Sequence, residues 1–251
     1  MKSVIIIPAR YASTRLPRKL LLCETGKPLV QHTYESALRA TLPASVIVAC
    51  DHEEIFNAVK QCGGHVQMTD PNAPSGTDRI AEVAADLDAD IIVNVQGDEP
   101  EIAGSAIDLA VQMLIDSPEA VMSTLATPIR NQQQLEDAAC VKVVFDASHR
   151  ALYFSRSVIP HPRGGIREEH LMQSPPLFYQ HIGLYAYRRD FLLRLSRLPQ
   201  SDLEKTESLE QLRVLHHGYS LMVGVVEDAT VGIDTPEDYR RFVERYTALR
   251  R

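Results

Sequence analysis

Short apolar runs alternate with amphipathic segments along the first hundred residues of the chain. The apolar runs have the length of β-strands and lie at 4–7, 46–49, 65–68 and 91–95. The amphipathic segments between them carry apolar residues at helical spacing and lie at 28–40, 52–62 and 77–87. This alternation predicts an α/β fold, with a mixed, mainly parallel sheet and helices on both of its faces.

The pattern changes after about residue 140. Strands are predicted at 141–145, 181–187 and 219–226. The long segment between the first two, 155–176, contains several Pro and Gly residues, a composition that permits a lid. We expect a single domain, 1–251, in which a smaller β-rich region of about 141–226 is inserted into a main part of about 1–140 and 227–251.

Two helices are predicted in the last fifth of the chain. In the segment 206–216, leucines recur on one side and Glu207, Glu210 and Gln211 share another, which leaves a polar side for a ligand or for solvent. The closing helix, 236–249, begins after Thr235, a residue type that caps helices.

Asp51 followed by Glu54 indicates a capping box at the start of the helix 52–62. Ser75, followed by Gly-Thr-Asp-Arg, has the pattern of an N-cap before the helix 77–87.

Composition and charge exclude several classes of function. The 251 residues are 45% hydrophobic, and 26 Lys and Arg against 33 Asp and Glu give a net charge of −7. Because this charge repels phosphate, we do not expect nucleic-acid binding. No apolar run approaches the roughly 18 to 20 residues that span a bilayer, and the Pro-containing N-terminus is too short for a signal peptide, so we expect no membrane insertion.

The four cysteines, Cys23, Cys50, Cys62 and Cys140, form no C-x-x-C pair and have no His at zinc-ligand spacing. Free thiols in a reducing cytoplasm are the simplest interpretation.

Ligands of open α/β sheets bind beyond the carboxyl ends of the strands, so the candidate residues follow the predicted strands. The segment 8–19, PARYASTRLPRK, follows the first strand and combines four cations with small residues, a combination that suits a triphosphate. It matches neither the dinucleotide-binding motif nor the P-loop motif. A solvated basic loop remains the alternative.

Asp98 follows the fourth strand, and Asp234 lies in a Gly- and Pro-containing turn far along the chain. Mg²⁺ prefers one or two carboxylates together with phosphate oxygens, so this pair is a candidate metal site if folding brings it together. Each Asp alone is more often a turn or capping residue.

Further candidates are weaker. Gly76 and Arg79 have the residue types of a close turn around a base, although the N-cap reading is equally available. Arg156 and Arg163 could bind a carboxylate or lie in solvent. His181 and Tyr185 share one face of a predicted strand, either as a pocket wall or as part of the core.

Seven motifs, in order and nearly end to end, resemble the 3-deoxy-manno-octulosonate cytidylyltransferases, the family that makes CMP-Kdo for lipopolysaccharide biosynthesis. They are IIPARYASTRLPRK, SGTDR, VNVQGDEP, LYFSRSVIP, HIGLYAY, LEQLR and GIDTPED. The resemblance implies a nucleotide-diphospho-sugar-transferase-like fold, a homodimer, Mg²⁺ as cofactor, CTP and Kdo (3-deoxy-D-manno-octulosonate) as substrates, and CMP-Kdo and pyrophosphate as products. The inserted part would then bind the sugar and form the dimer contact.

The resemblance also implies roles for individual residues. The CTP phosphates would be held by Arg10, Ser13, Arg15 and Lys19. Cytosine and ribose would be surrounded by Pro8, Ala9, Ser75, Gly76, Arg79 and Gln96. Magnesium would be held by Asp98 and Asp234, which with Arg10, Arg15 and Lys19 form the catalytic set. The Kdo site would be lined by Arg156, Arg163, His181, Tyr185, Glu207, Glu210 and Gln211.

The expected reaction is an in-line attack of the Kdo C2 hydroxyl on the α-phosphorus of CTP. The sequence offers no obvious side chain as general base, which favours activation by the metal. Two alternatives stay open: the same reaction on 8-amino-3,8-dideoxy-octulosonate, and a nucleotide-binding protein without catalytic activity.

The phosphate loop departs from the family pattern RLPGKP at two positions, because Arg18 replaces the Gly and Leu20 replaces the second Pro. If the family Gly has a positive φ, Arg18 costs about 1 kcal/mol there, and we expect an altered affinity for CTP.

Overall fold

The computed structural model describes residues 1–228 and 232–248. They form two compact units, the first comprising 1–111 and 232–248 and the second 112–228. The boundary between the units lies at 111/112. The division near residue 140 between a nucleotide-binding part and a sugar-binding part stays a prediction. The last predicted residue of the closing helix, 249, lies outside the described residues.

The strands are β1 (Ser3–Ala9), β2 (Ser45–Cys50), β3 (Val66–Met68), β4 (Ile91–Asn94), β5 (Ala120–Pro128), β6 (Lys142–Phe145), β7 (Ala151–Ser155), β8 (Tyr179–Arg188) and β9 (Ser220–Val225). The helices are α1 (Leu29–Ala37), α2 (Glu53–Gln61), α3 (Gly76–Ala85), α4 (Gly104–Asp116), α5 (Gln132–Glu136), α6 (Glu168–Met172), α7 (Arg189–Leu195), α8 (Asp202–Glu207), α9 (Gln211–His216) and α10 (Pro236–Ala248).

The first unit contains a parallel sheet in the order β3-β2-β1-β4. Residues Ile5, Ile6 and Ile7 of β1 are fully buried, so this strand is covered on both faces as predicted. Because the four strands run the same way, their carboxyl ends meet at one edge of the sheet. The loops that follow β1, β2, β3 and β4 start from that edge.

Two of the three predicted helix starts are confirmed. The Ser75 hydroxyl accepts a hydrogen bond from the amide of Asp78 at 3.0 Å, and the Thr235 hydroxyl accepts one from the amide of Asp238 at 3.2 Å. The predicted capping box at Asp51 is wrong by one residue. His52 caps α2 instead, because its ring nitrogen Nδ1 accepts a hydrogen bond from the amide of Glu54 at 3.2 Å.

The second unit contains a mixed sheet around β5, which pairs antiparallel with β8 and parallel with β9. Strands β6 and β7 form an antiparallel pair beside β8. The sequence pattern did not reveal β5 or α4. With the parallel sheet of the first unit, this arrangement confirms the predicted α/β fold.

The helix predicted at 206–216 is wrong as a continuous element. It is divided into α8 and α9 at Ser208, which takes the left-handed conformation with φ 54° and ψ 48°. As a result Glu207 ends one helix and Glu210 precedes the next, and the two do not share a helical face.

The segment 155–176 is anchored to a small apolar core of the second unit. Leu171 of α6 packs there with Ile129, Leu135 and Phe178, and Val158 and Ile166 lie against the same cluster. The short helix α6 within this segment was not predicted.

Among the described residues, no helix combines the length and the apolar content that crossing a bilayer requires. The four cysteines are free thiols.

Lys142 of β6 is a fully buried cation in the second unit. Its ammonium group donates hydrogen bonds to the backbone carbonyls of Asp137, Cys140 and Arg156, at 3.0, 2.6 and 2.5 Å. Burial lowers its pKa, and the three carbonyls use all three of its donors. One side chain therefore fixes three backbone positions.

We expect Lys142→Met to lower the free energy of unfolding by about 3 kcal/mol, because the stem is kept while three buried carbonyls lose their donor. Urea denaturation measures this. Lys205→Ala is the control, since its ammonium is exposed and 3.7 Å from Asp202, and we expect a change within about 0.5 kcal/mol. A loss below about 1 kcal/mol for Lys142→Met would contradict the anchoring role.

Candidate functional site

A cavity of about 630 Å³ lies in the first unit, where loops leave the carboxyl ends of the parallel strands. This volume is within the range of about 300 to 1,000 Å³ typical of small-molecule sites. Ten residues named from the sequence line it: Pro8, Arg10, Ser13, Arg15, Lys19, Ser75, Gly76, Gln96, Asp98 and Asp234. Five further residues, for which the sequence pattern indicated no role, also line it: Ala12, Thr14, Leu20, Pro74 and Gly97.

The loop after β1 supplies the cations of the cavity. Within it, Arg18 has φ 52° and ψ 32°. This is the left-handed conformation that was considered above for the Gly of the family pattern. A non-glycine residue pays about 1 kcal/mol or more for it. The Arg18 guanidinium lies over the ring of Tyr11, 5.2 Å from its centroid, and 3.9 Å from the carboxylate of Glu54. Lys19 follows and begins a single 3₁₀ turn, Lys19–Leu21.

Lys19 joins the two candidate carboxylates. Its ammonium nitrogen Nζ lies 2.5 Å from Oδ2 of Asp98 and 3.1 Å from Oδ1 of Asp234. Residues more than 130 positions apart in the chain thus meet at one cation, as the candidate metal site required. The Lys19 side chain is only 13% exposed, so these contacts are shielded from bulk water.

Backbone hydrogen bonds keep the two carboxylates together. The amide of Ile233 donates to the carbonyl of Asp98 at 2.9 Å. The amide of Asp234 donates to the carboxylate of Asp238 at 3.3 Å. A guanidinium nitrogen of Arg15 also lies 3.1 Å from Oδ1 of Asp234. Two cations and two carboxylates are therefore in direct contact.

The chemistry of this pair fits a divalent cation. Both carboxylates already reach one common positive charge, and Mg²⁺ is usually held by one or two carboxylates together with phosphate and water oxygens. In the described part of the chain, no group of three or more His, Cys, Asp or Glu side chains could hold a metal ion. A metal held by Asp98 and Asp234 would therefore need oxygens from a ligand.

Small residues also line the cavity, Gly76 and Gly97 among them. A Cβ on Gly76 would find the Pro8 ring at 3.7 Å, which is ordinary contact, so protein packing does not require glycine there. Glycine at this position leaves space inside the cavity. At Gly97, by contrast, a Cβ would lie 2.9 Å from the carbonyl oxygen of Pro8, and this close approach does require glycine.

Ala9 and Arg79, both expected at the base, do not line the cavity. Ala9 is fully buried in β1, and the Arg79 side chain is 1% exposed. The Arg79 guanidinium is hydrogen-bonded to the hydroxyl of Thr69 and to the carbonyl of Asp70, and it pairs with the carboxylate of Asp51 at 3.2 Å. Arg79 therefore binds groups of the protein itself from a buried position.

In the second unit, Glu207 and Arg156 lie together. The Glu207 carboxylate accepts hydrogen bonds from the Ser155 hydroxyl at 2.6 Å and from the Arg156 amide at 2.9 Å. The Arg156 guanidinium donates to the carbonyl of Glu207 at 2.7 Å and to that of Ala138 at 3.1 Å. Glu207 thus fixes the backbone that carries Arg156.

His181, Tyr185 and Gln211 form a second group. The two rings have centroids 5.4 Å apart, and the Tyr185 hydroxyl donates to the Gln211 side chain at 3.3 Å. Nε2 of His181 lies 3.0 Å from the hydroxyl of Thr124. Burial lowers the pKa of His181 to about 3, although the residue keeps some accessible surface. The imidazole is therefore neutral at physiological pH.

The last two sugar-side candidates are Arg163 and Glu210. Arg163 is exposed in the segment before α6. Glu210 lies 3.8 Å from Arg213, which is paired more closely with Glu204.

Comparison with known proteins supplies the chemical context. The model of the cytidylyltransferase family matches residues 4–223. The 3-deoxy-manno-octulosonate cytidylyltransferases of Rhodopirellula baltica and Geobacter metallireducens are 48% and 47% identical to the chain, and each alignment covers 98% of both sequences.

A solved structure of CMP:2-keto-3-deoxy-manno-octonic acid synthetase complexed with CTP superposes with a TM-score of 0.91 and 40% identity, over 99% of this chain and all of the other. By sequence and fold alike, the chain belongs to the cytidylyltransferase family, in the group of the 3-deoxy-manno-octulosonate cytidylyltransferases.

Proposed function

We propose that the chain transfers CMP from CTP to the C2 hydroxyl of Kdo, giving CMP-Kdo and pyrophosphate for lipopolysaccharide biosynthesis. The observation that carries the proposal is the meeting of Lys19 with Asp98 and Asp234 in a cavity lined by cations. The names of the relatives support CTP and Kdo as the substrates.

The positive charges of the cavity identify the residues that bind the phosphates. Arg10, Ser13, Arg15 and Lys19 hold the triphosphate, because guanidinium and ammonium groups bind phosphate oxygens strongly. Pro8, Ser75, Gly76 and Gln96 surround cytosine and ribose, with Gly76 leaving the space. Ala9, which is fully buried, belongs to the strand that carries Pro8. Arg79 supports this wall through its protein contacts.

Asp98 and Asp234 are the residues that would hold Mg²⁺. When bound, the ion supplies neutralisation of phosphate charge and a lowered pKa of the attacking hydroxyl. Lys19 and Arg15, now paired with these carboxylates, are the cations that then serve the phosphates.

The sugar side belongs to the second unit. Arg156 binds the Kdo carboxylate, and Glu207 keeps the Arg156 backbone in place. His181 is neutral, so together with Tyr185, Glu210 and Gln211 it offers the sugar hydroxyls hydrogen bonds. Arg163, in its exposed segment, adds a second cation.

In the reaction, the C2 oxygen forms a bond to the α-phosphorus while the bond from the α-phosphorus to the bridging oxygen breaks. The hydroxyl proton is released, and pyrophosphate leaves with the bonding electrons. Lys19 and Arg15 stabilise the charge that develops on this leaving group, and Arg156 orients the nucleophile.

We also propose a cytoplasmic homodimer, as the family resemblance implies. The free thiols support a reducing compartment. The first unit is proposed as the nucleotide-binding part and the second as the sugar-binding and dimerisation part. Sedimentation at about twice the chain mass of 28.0 kDa is expected, and sedimentation at the chain mass would contradict the dimer.

Pyrophosphate release tests the function. The purified protein is offered CTP, UTP, ATP or GTP with Kdo or its 8-amino analogue, with Mg²⁺ and with EDTA. Release with CTP, Kdo and Mg²⁺ together supports the proposal. Faster pyrophosphate release with the 8-amino sugar than with Kdo would make the 8-amino sugar the substrate. CTP binding without pyrophosphate release with either sugar would favour a non-catalytic nucleotide-binding protein.

We expect Asp98→Asn to lower kcat at least about 100-fold at saturating Mg²⁺, because one of two metal-binding charges is lost. The exposed Asp88→Asn, whose carboxylate lies 3.3 Å from Lys2, is the matched control and keeps the wild-type rate. An unchanged kcat in Asp98→Asn would contradict the metal-binding role of Asp98.

Lys19→Ala removes a phosphate-binding cation and leaves two carboxylates facing the triphosphate. We expect kcat/KM for CTP to fall about 100-fold, while KM for Kdo changes little. Lys60→Ala, on the exposed surface of α2, serves as the control. A normal dependence on CTP concentration in Lys19→Ala would contradict the phosphate role.

Arg156→Ala should raise KM for Kdo about tenfold and leave KM for CTP near the wild-type value, because a charge-assisted contact to the sugar carboxylate is lost. Initial rates at varied Kdo and CTP measure the two constants. Arg150→Ala, an exposed Arg paired with Asp146, is the control. The reverse pattern would place Arg156 on the nucleotide side.

A further inference from the structure

The carboxylate of Asp51 bridges two parts of the first unit. It follows β2 at the same edge of the sheet where β1 ends, since Cys50 pairs with Ala9. One oxygen accepts a hydrogen bond from the Tyr11 amide at 2.8 Å, and the other pairs with the Arg79 guanidinium at 3.2 Å. Each oxygen therefore has a different partner.

Two segments that line the cavity are attached to this bridge. Tyr11 lies between Arg10 and Ala12, which both line the cavity. Arg79 belongs to α3, whose N-terminal residue Gly76 also lines it.

The bridge is shielded from water. The Asp51 side chain is 12% exposed and that of Arg79 is 1% exposed. A charge-assisted hydrogen bond from a backbone amide to a carboxylate is strong under such conditions, and it fixes backbone position more firmly than a flexible surface contact.

We propose that Asp51 and Arg79 are a positioning pair for the phosphate loop, and that neither needs to touch CTP. The inference deepens the proposed function, on which it rests, by naming what holds Arg10 and the residues after it in place before the nucleotide binds. A loop that is ordered beforehand loses less conformational freedom on binding, so affinity for CTP rises.

Asp51→Asn tests the proposal, because the amide keeps the size of the side chain but cannot serve both partners. We expect the Kd for CTP, measured by calorimetry without sugar, and the KM for CTP to rise about tenfold. KM for Kdo should stay within about twofold. Asp146→Asn is the control, since that carboxylate also pairs with an Arg and accepts backbone hydrogen bonds, and it should change neither constant.

A Kd for CTP within twofold of wild type in folded Asp51→Asn would overturn the proposal, and so would an equal rise in KM for both substrates. Loss of folded protein alone lowers the apparent kcat and leaves KM for each substrate unchanged. The direct Kd also separates this inference from the proposed function, because it can be measured if no sugar is turned over.

If Asp51→Asn does not fold, Asp51→Glu takes its place in the same measurements. It keeps the negative charge beside Arg79 and displaces the carboxylate by one methylene, which moves the acceptor of the Tyr11 amide. A rise in the Kd for CTP of about fivefold or more supports positioning, and an unchanged Kd overturns it.

Discussion

The ammonium group of Lys19 lies within hydrogen-bond distance of two carboxylates, and the chemistry of the cavity depends on that contact. With Arg15 on Asp234, two positive and two negative charges balance each other inside a partly enclosed site. Under the proposed function, a triphosphate would need those cations. If Lys19 and Arg15 turned to phosphate oxygens, Asp98 and Asp234 would be left as uncompensated charges beside an anion, and a divalent cation would restore the balance.

The rest of the first unit keeps these groups in place. The parallel sheet brings the strand ends to one edge, the Ile233 amide ties the Asp234 turn to Asp98, and Gly97 permits the close approach to Pro8. Arg18 occupies a conformation that costs about 1 kcal/mol. Its contacts with Tyr11 and Glu54 offset part of that cost, which explains how the loop accommodates Arg where the family pattern has Gly.

Much of the fold and of the site could be predicted because local rules and tertiary structure agree there. Periodicity found β1 and its parallel neighbours, and the position after each strand pointed to Lys19 and Asp98. The meeting of Asp98 with Asp234 could only be stated as a condition, since chain folding decides it. The role of Asp51 was missed because its spacing to Glu54 imitates a capping box, while a histidine nitrogen supplies the cap.

Two further features could not be predicted, for similar physical reasons. Ser208 takes a left-handed conformation without the Gly or Asn that usually marks a helix end, so the helix predicted at 206–216 runs across the break between α8 and α9, and the start of α8 at Asp202 was not predicted. Arg79 has the donors to contact a base, but its partners Thr69 and Asp51 come from loops after other strands. Sequence spacing carries no information about such long-range partners.

The most direct test of the account is a calorimetric titration of the wild-type protein with CTP, in Mg²⁺ and in EDTA. We expect binding at least about tenfold weaker in EDTA, because Lys19 cannot neutralise Asp98, Asp234 and the phosphates at once. Equal affinity under the two conditions would contradict it, since the carboxylates would then need no other cation when CTP binds.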